Sequence, residues 1–212
     1  SVVSRCPNPW MQSSVPDLLD LSRETEETVQ LYGIDSETES KKLYGIQCLR
    51  ARRMVEAGIR FIEITCPPGR SNGTWNQHGD LKKGHEKNAL DTDQAVAGLL
   101  KDLKRRGLLE RTLIVWGGEF GRTPMSQGTT GRDHSPFGFS MWLAGAGIQG
   151  GRMVGATDDI GLRAVERPYH VRDLHATILD RLGLDQDVLT FLHNGREERL
   201  TDIGGRTIRE LL

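Results

Sequence analysis

This sequence predicts an α/β fold with a largely parallel sheet, on three observations. Its candidate elements run helix, strand, helix, strand, strand, helix, the order of sheets covered by helices. Residues 112–116 (TLIVW) form a short apolar run of the kind found in strands buried on both faces. Most side chains able to bind metal or oxyanions fall after predicted strand ends, where open α/β sheets place their sites.

The elements follow in order. Pro16 and Asp17 read as a helix start, and 17–32 as a polar helix ended by Gly33. A second helix is expected over 36–57, because Tyr44, Cys48, Ala51 and Val55 sit at i, i+4, i+7 and i+11 and Gly58 closes it. Residues 59–65 (IRFIEIT) carry enough β-branched and aromatic side chains for a strand, and 66–73 (CPPGRSNG) for a loop. The clearest helix covers 84–106: Ala89, Val96, Leu99, Leu100 and Leu103 form its stripe, and basic residues crowd its C-terminal end. Asp93 falls on the apolar side of this helix and reads as a buried hydrogen-bond anchor. Residues 117–138 read as a Gly-rich stretch without regular period, 139–144 as a strand and 171–182 as a helix stopped by Gly183. Asn194-Gly195 between 190–193 and 196–201 is a strong hairpin signal. With no repeat, low-complexity tract or linker, 1–212 reads as a single domain.

Composition narrows the function classes. Lys+Arg 28 against Asp+Glu 29 gives a net charge of −1, without the basic excess of a dedicated nucleic-acid binder. No apolar run approaches the ~20 residues of a membrane helix. Cys6, Cys48 and Cys66 are too few and scattered for a disulfide framework or zinc knuckle. Glycine is the outlier, 25 of 212 residues where about 7% is usual. The first residues hold neither an initiator Met nor a signal-peptide apolar region, compatible with a mature N-terminus or a cut from something longer.

Three polar clusters carry the chemistry: Trp75-Asn76-Gln77-His78, Gly118-Glu119-Phe120-Gly121-Arg122 and Arg132-Asp133-His134. Converged in space they would offer His78, Glu119, Asp133 and His134, a mixed imidazole and carboxylate set that suits Zn²⁺, Mn²⁺ or Fe²⁺ better than Ca²⁺. Arg122 supplies a fork for a phosphate or sulfate oxyanion. His85, His170 and His193, standing alone, read as surface or turn residues, and Glu119 serves equally as a turn cap.

Two motif matches need weighing. Residues 145–150 (GAGIQG) fit G-x-G-x-x-G after a strand, but no amphipathic helix follows to supply the phosphate site, so the dinucleotide reading is rejected. Residues 66–70 (CPPGR) fit the C-x-P-x-R core by which sulfatases mark a cysteine for oxidation to formylglycine, making Cys66 a catalytic candidate beside Arg122. Against it, 71–75 does not read as a helix start, and two Pro and a Gly arise easily in a plain turn. No G-x-S-x-G, Walker A or H-E-x-x-H occurs, which removes the common serine-hydrolase, P-loop and zincin routes.

Several strings carry a family resemblance: 43–53 (LYGIQCLRARR), 112–124 (TLIVWGGEFGRTP), 131–134 (GRDH), 173–179 (DLHATIL) and 199–202 (RLTD). From about residue 7 onward the chain resembles the bacterial family catalogued as domain of unknown function 1501, grouped with sulfatase-like proteins of the alkaline phosphatase superfamily. The resemblance implies a three-layer α/β/α fold with a mostly parallel sheet, alkaline phosphatase-like and incomplete at the N-terminus, the chain matching a C-terminal half. It also implies an exported, periplasmic or envelope location. In that frame Glu119 takes the place of a metal-binding Asp at a strand end, His134 that of a later ligand histidine, and His78 that of a histidine ahead of the long helix. Phe120 replaces a ligating His or Asn, and Asn76 replaces a carboxylate the family usually carries. The nucleophile of such enzymes stands in the N-terminal half, and nothing before residue 36 reads as its strand.

The expectation is a divalent-metal-dependent, hydrolase-type domain acting on sulfate or phosphate esters, small-molecule or polysaccharide. Possible partners include the missing N-terminal half; nucleic acid is not among them. The alternative is a non-catalytic binding or envelope-associated domain that retains the fold, for which Phe120 and Asn76 speak.

Overall fold

The structure, a computed structural model, describes residues 16–65, 75–201 and 204–212. They fall into two compact units: residues up to 76 together with 82–108, and 77–81 together with 109–212.

The first unit is helical. It holds α1 (Glu26–Leu31), α2 (Glu39–Glu56) and all but the first residue of α3 (Leu81–Arg105). The single helix expected over 17–32 is broken, because short polar side chains offer the backbone another choice. Asp20 accepts from Ser22 N at 2.9 Å and Ser22 Oγ at 3.0 Å, holding a turn. Thr25 then caps α1, its Oγ1 accepting from Thr28 N at 3.2 Å. Tyr32, Tyr44, Cys48, Leu49, Ala51, Ala95, Leu99 and Leu103 form the core. On α3 the buried positions recur every three or four residues through Asn88, Asp91, Ala95, Gly98 and Asp102, one stripe of a 3.6-residue period. A Cβ at Gly45 would sit 2.4 Å from Tyr32 O, and one at Gly98 2.7 Å from Leu31 O. Both long helices therefore press directly on the backbone at the end of α1.

The acid anchor of this unit is not the expected one. Asp93 is exposed, whereas Asp102, with no exposed surface, is the most deeply buried carboxylate among the described residues. It lies 3.1 Å from Arg52 Nε and 2.9 Å from both Arg105 Nη2 and Arg106 Nε, and accepts from Tyr32 Oη at 3.1 Å. Arg52, itself 3% exposed, also pairs with Glu24 and Glu56 at 2.6 Å each. Burial opposes the charge on Asp102, but hydrogen bonds from Arg106 and Arg105 outweigh it and hold the carboxyl below its usual range. Burial pushes the Cys48 thiol up to about 12.

The strand expected over 59–65 is not formed. These residues join no ladder among the described residues, and Phe61 is 80% exposed. β-propensity supplies only side-chain preference; a strand also needs a neighbour for its N–H and C=O groups.

In the second unit every ladder is two-stranded and antiparallel, which overturns the three-layer α/β/α fold with a mostly parallel sheet. β1 (Ile114–Trp116) pairs with β4 (Trp142–Ala144), enclosing a hairpin of β2 (Gly121–Gln127) and β3 (Gly131–Ser135). A parallel return would need a crossover, usually a helix, between the two strands. The intervening residues form that hairpin instead, so β4 comes back antiparallel and Trp116 stacks on its cross-strand partner Trp142, centroids 6.0 Å apart. The stretch read as irregular between 117 and 138 thus contains the longest strands among the described residues. Two smaller ladders follow: β5 (Ala156–Thr157) with β6 (Ala164–Glu166), and β7 (Phe191–His193) with β8 (Arg196–Glu198). Asn194 (φ 50°) and Gly195 (φ 78°) make the expected turn between the last two.

Between them runs α4 (Val171–Arg181), capped by His170, whose Nδ1 accepts from Arg172 N while Asp173 accepts from His170 N at 2.8 Å. The C-terminal segment is laced to α4: Asp173 Oδ1 accepts from Arg206 N, and Thr177 Oγ1 from Ile208 N, both at 2.9 Å. Among the described residues no helix is long and apolar enough to cross a membrane.

Candidate functional site

The second unit gathers two of the sequence-predicted ligands on the β2–β3 hairpin. Residues 77–81 lie along the outer edge of β3. Arg132 N donates to Gln77 O at 3.3 Å, Leu81 N to Thr130 O at 3.1 Å, and Asp80 N to Thr130 Oγ1 at 3.0 Å. Only glycine permits that approach, since a Cβ at Gly131 would lie 1.8 Å from His78 O.

This edge contact carries His78 to His134. Their ring centroids are 4.8 Å apart, tilted by 40°. The ring of Phe120 lies on the other histidine neighbour, 4.2 Å from His134. His78 Nδ1 is hydrogen-bonded to Gln127 Oε1. With the amide oxygen as acceptor, Nδ1 carries the proton and Nε2 keeps its lone pair, the tautomer that metal-ligating histidines take when a second group orients them. Both histidines are exposed.

Arg122 stands directly across the ladder from His134, so the two side chains share a face. Its Nη1 donates to Arg132 O at 3.2 Å. The register slips between Arg122 and Ser126, where Thr123 Oγ1 donates to Met125 O at 2.9 Å and accepts from Asp133 N at 3.2 Å. That bulge re-aims the side chains on either side of it.

The carboxylates are placed differently. Asp133 Oδ1 is occupied locally, accepting from His134 N at 2.8 Å. Glu119 is exposed, next in sequence to Phe120. Among the described residues no three His, Cys, Asp or Glu side chains form a group that could hold a metal ion. The structure therefore brings His78 and His134 together with Arg122 beside them, and does not bring Glu119 and Asp133 into one cluster with both. Cys66 lies outside the described residues. Sequence reading missed Gln127, which orients His78; no spacing rule flags a glutamine at a strand end.

Of the lone histidines, His170 and His193 lie at the surface as expected, whereas His85 is half-buried on α3. His85 sits edge-on to Trp75 in the first unit, centroids 5.5 Å apart, and His170 is the cap of α4. No helix starts directly after Gly150: β5 and β6 come first and α4 begins only at Val171, as the rejection of a dinucleotide loop requires.

A family model described as "Protein of unknown function (DUF1501)" matches residues 3–212. No curated protein and no solved structure matches the chain.

Proposed function

The chain belongs to the DUF1501 family of proteins of unknown function, and within it we propose a metal-dependent, hydrolase-type domain acting on sulfate or phosphate esters. The observation that carries this reading is the His78–His134 pair, two exposed imidazoles with centroids 4.8 Å apart, one of them held by Gln127. Two imidazoles are donors that Zn²⁺ or Mn²⁺ accepts. Glu119 and Asp133, the carboxylates the reading assigns to the same metal, stand outside the pair in this structure and would have to turn toward it to complete the set. A bound metal would supply Lewis-acid polarisation of an ester oxygen. The protein's own part is to present His78 in the ligating tautomer beside His134 and to hold an anionic group with the Arg122 fork on the face shared with His134. The resemblance of the 118–124 and 131–134 strings to a family grouped with sulfatase-like proteins is what supports the choice of ester, for its chemistry and not for its fold.

A second reading is favoured by one observation. Phe120 packs on the His134 ring at 4.2 Å, and Asp133 spends an oxygen on the His134 backbone, as in a hairpin kept for binding alone. Metal analysis of the purified chain, with His134→Ala beside it, tests the first proposal. Near-stoichiometric divalent metal that is lost in the folded variant supports it, and a metal-free chain with binding no better than the variant's overturns it. A screen with aryl sulfates and phosphate mono- and diesters then separates hydrolysis from binding.

A further inference from the structure

A second site is built elsewhere in the second unit. An open cleft of about 980 Å³ is lined by Arg167, Arg181, Arg206 and Arg209. Its acidic side chains are Asp180 and Glu210, so the lining carries an excess of two positive side-chain charges in a chain whose net charge is −1. Two of the guanidiniums are occupied: Arg181 pairs with Asp180 at 2.6 Å and Arg167 with Glu166 at 3.0 Å. Glu210 is engaged as well, accepting from Tyr169 Oη at 2.5 Å. That hydrogen bond first, then one from its own backbone N–H, and after them the charges of Arg167 and Arg206 draw the Glu210 carboxyl below its usual range. The side chains of Arg206 and Arg209 make no hydrogen bond or ion pair among the described residues.

The backbone that presents these two arginines is tied down on both sides. Gly205 O accepts from Gln186 Nε2 at 2.8 Å, Arg206 N donates to Asp173, and Ile208 N to Thr177. Glu210 O accepts from Arg152 Nη1 at 3.1 Å, and Leu211 O from Gln149 N at 2.8 Å. The backbone that carries the two forks is thus ordered before any ligand arrives, and only the two side chains are left to be ordered on binding.

The geometry points to an anion-binding site in this cleft, taking a small ligand with two or more phosphate or sulfate groups gripped by Arg206 and Arg209 and flanked by Arg167 and Arg181. The guanidinium fork matches tetrahedral oxyanions of either kind with paired N–H donors. A concave cleft with two unspent forks selects a compact multivalent anion over a single charge. The site is independent of the His78–His134 reading and uses none of its residues.

The test is calorimetric titration of the 212-residue chain, stripped of metal with a chelator and dialysed so that the His78–His134 site takes no part, with inorganic pyrophosphate, with a disulfated disaccharide in parallel and monovalent acetate as control. Saturable one-to-one binding of either polyanion, with none of acetate, is the expected result; which one binds tells phosphate from sulfate. R206A/R209A should weaken it by about tenfold or more, as expected for two charge-assisted contacts, and R206K/R209K by less. His134→Ala should leave it unchanged. Absence of saturable binding, binding undiminished in R206A/R209A, or equal loss in His134→Ala each overturns the assignment. Both arginines are exposed, so their removal leaves the fold intact, which circular dichroism verifies.

Discussion

Arg122 and His134 are cross-strand partners at the base of the β2–β3 hairpin, which sets a cation fork and an imidazole on one face. On the function proposed above the pairing divides the work: the imidazole would hold the metal, and the guanidinium would clamp an anion. Removing either should therefore have a different signature. Arg122→Ala is expected to keep the metal and to weaken inorganic phosphate binding to the metal-loaded chain by about ten- to a hundredfold, the loss of a charged hydrogen bond. Equal loss of metal and phosphate in Arg122→Ala would show that the two roles are not separate.

Gln127 should matter without touching the metal. Groups that orient a ligating histidine typically contribute ten- to a hundredfold in affinity, so Gln127→Leu should lower metal affinity by about that factor. Gln127→Glu keeps an acceptor for His78 Nδ1–H and should retain most of it. The side chain is exposed, so thermal stability should barely change in either. Competition titration with a chromogenic chelator reads the affinities, and identical values for the two variants contradict the role.

Gly131 tests the architecture rather than a ligand. A methyl group there cannot coexist with His78 O, so Gly131→Ala should push residues 77–81 off the edge of β3 and part the two histidines. Metal binding should fall as far as in His78→Ala. Gly79→Ala meets nothing within 4 Å and should be neutral, within about 0.5 kcal/mol. Imidazole NMR signals report whether the two rings still respond to one another.

What the sequence made legible follows from how local each signal is. The helix over 84–106 and the Asn194-Gly195 turn rest on periodicity and on positive φ, both local, and both formed nearly where expected. The sheet could not be read that way. TLIVW looks the same whether its partner runs parallel or antiparallel, and what decides is the hairpin of 121–135, whose glycines read as disorder of pattern rather than as strand ends. His78 and His134 were recognisable as chemistry; their meeting depends on a close approach at Gly131 that only packing reveals. Asp93 and Asp102 show the same limit in the first unit. Both lie on one helix, and the apolar neighbours of Asp93 concealed that the arginines gather around Asp102.

Asp102 should be the most sensitive position of the first unit. Asp102→Ala leaves Arg52 buried with one partner fewer, and breaking such a pair costs about 3–5 kcal/mol. Glu27, 81% exposed in its pair with Arg105, should cost less than about 1 kcal/mol when changed to Ala. Urea unfolding followed by the helical circular dichroism signal measures both, and comparable losses would contradict the ranking.

The same network fixes how stability depends on pH. The carboxyls of Asp102 and Glu24 are burdened by burial, yet hydrogen bonds from arginines hold both below their unfolded values. A lowered acid contributes stability that is present above its unfolded value and lost as pH falls through the folded one. Tyr32 and Cys48 shift the other way: burial raises both, and Asp102 beside the Tyr32 hydroxyl raises it further. Their contribution is complete below their unfolded values and is lost as pH rises toward the folded ones, about 12 for Cys48. The melting temperature of the helical signal should therefore hold level between about pH 5 and 8 and fall on both sides. Asp102→Asn should lower the plateau and flatten the acid limb, because the group that must be protonated is gone. Tyr32→Phe should flatten the alkaline limb and leave the acid one in place. An acid limb of the same steepness in Asp102→Asn as in the parent chain would assign the acid sensitivity to other carboxylates.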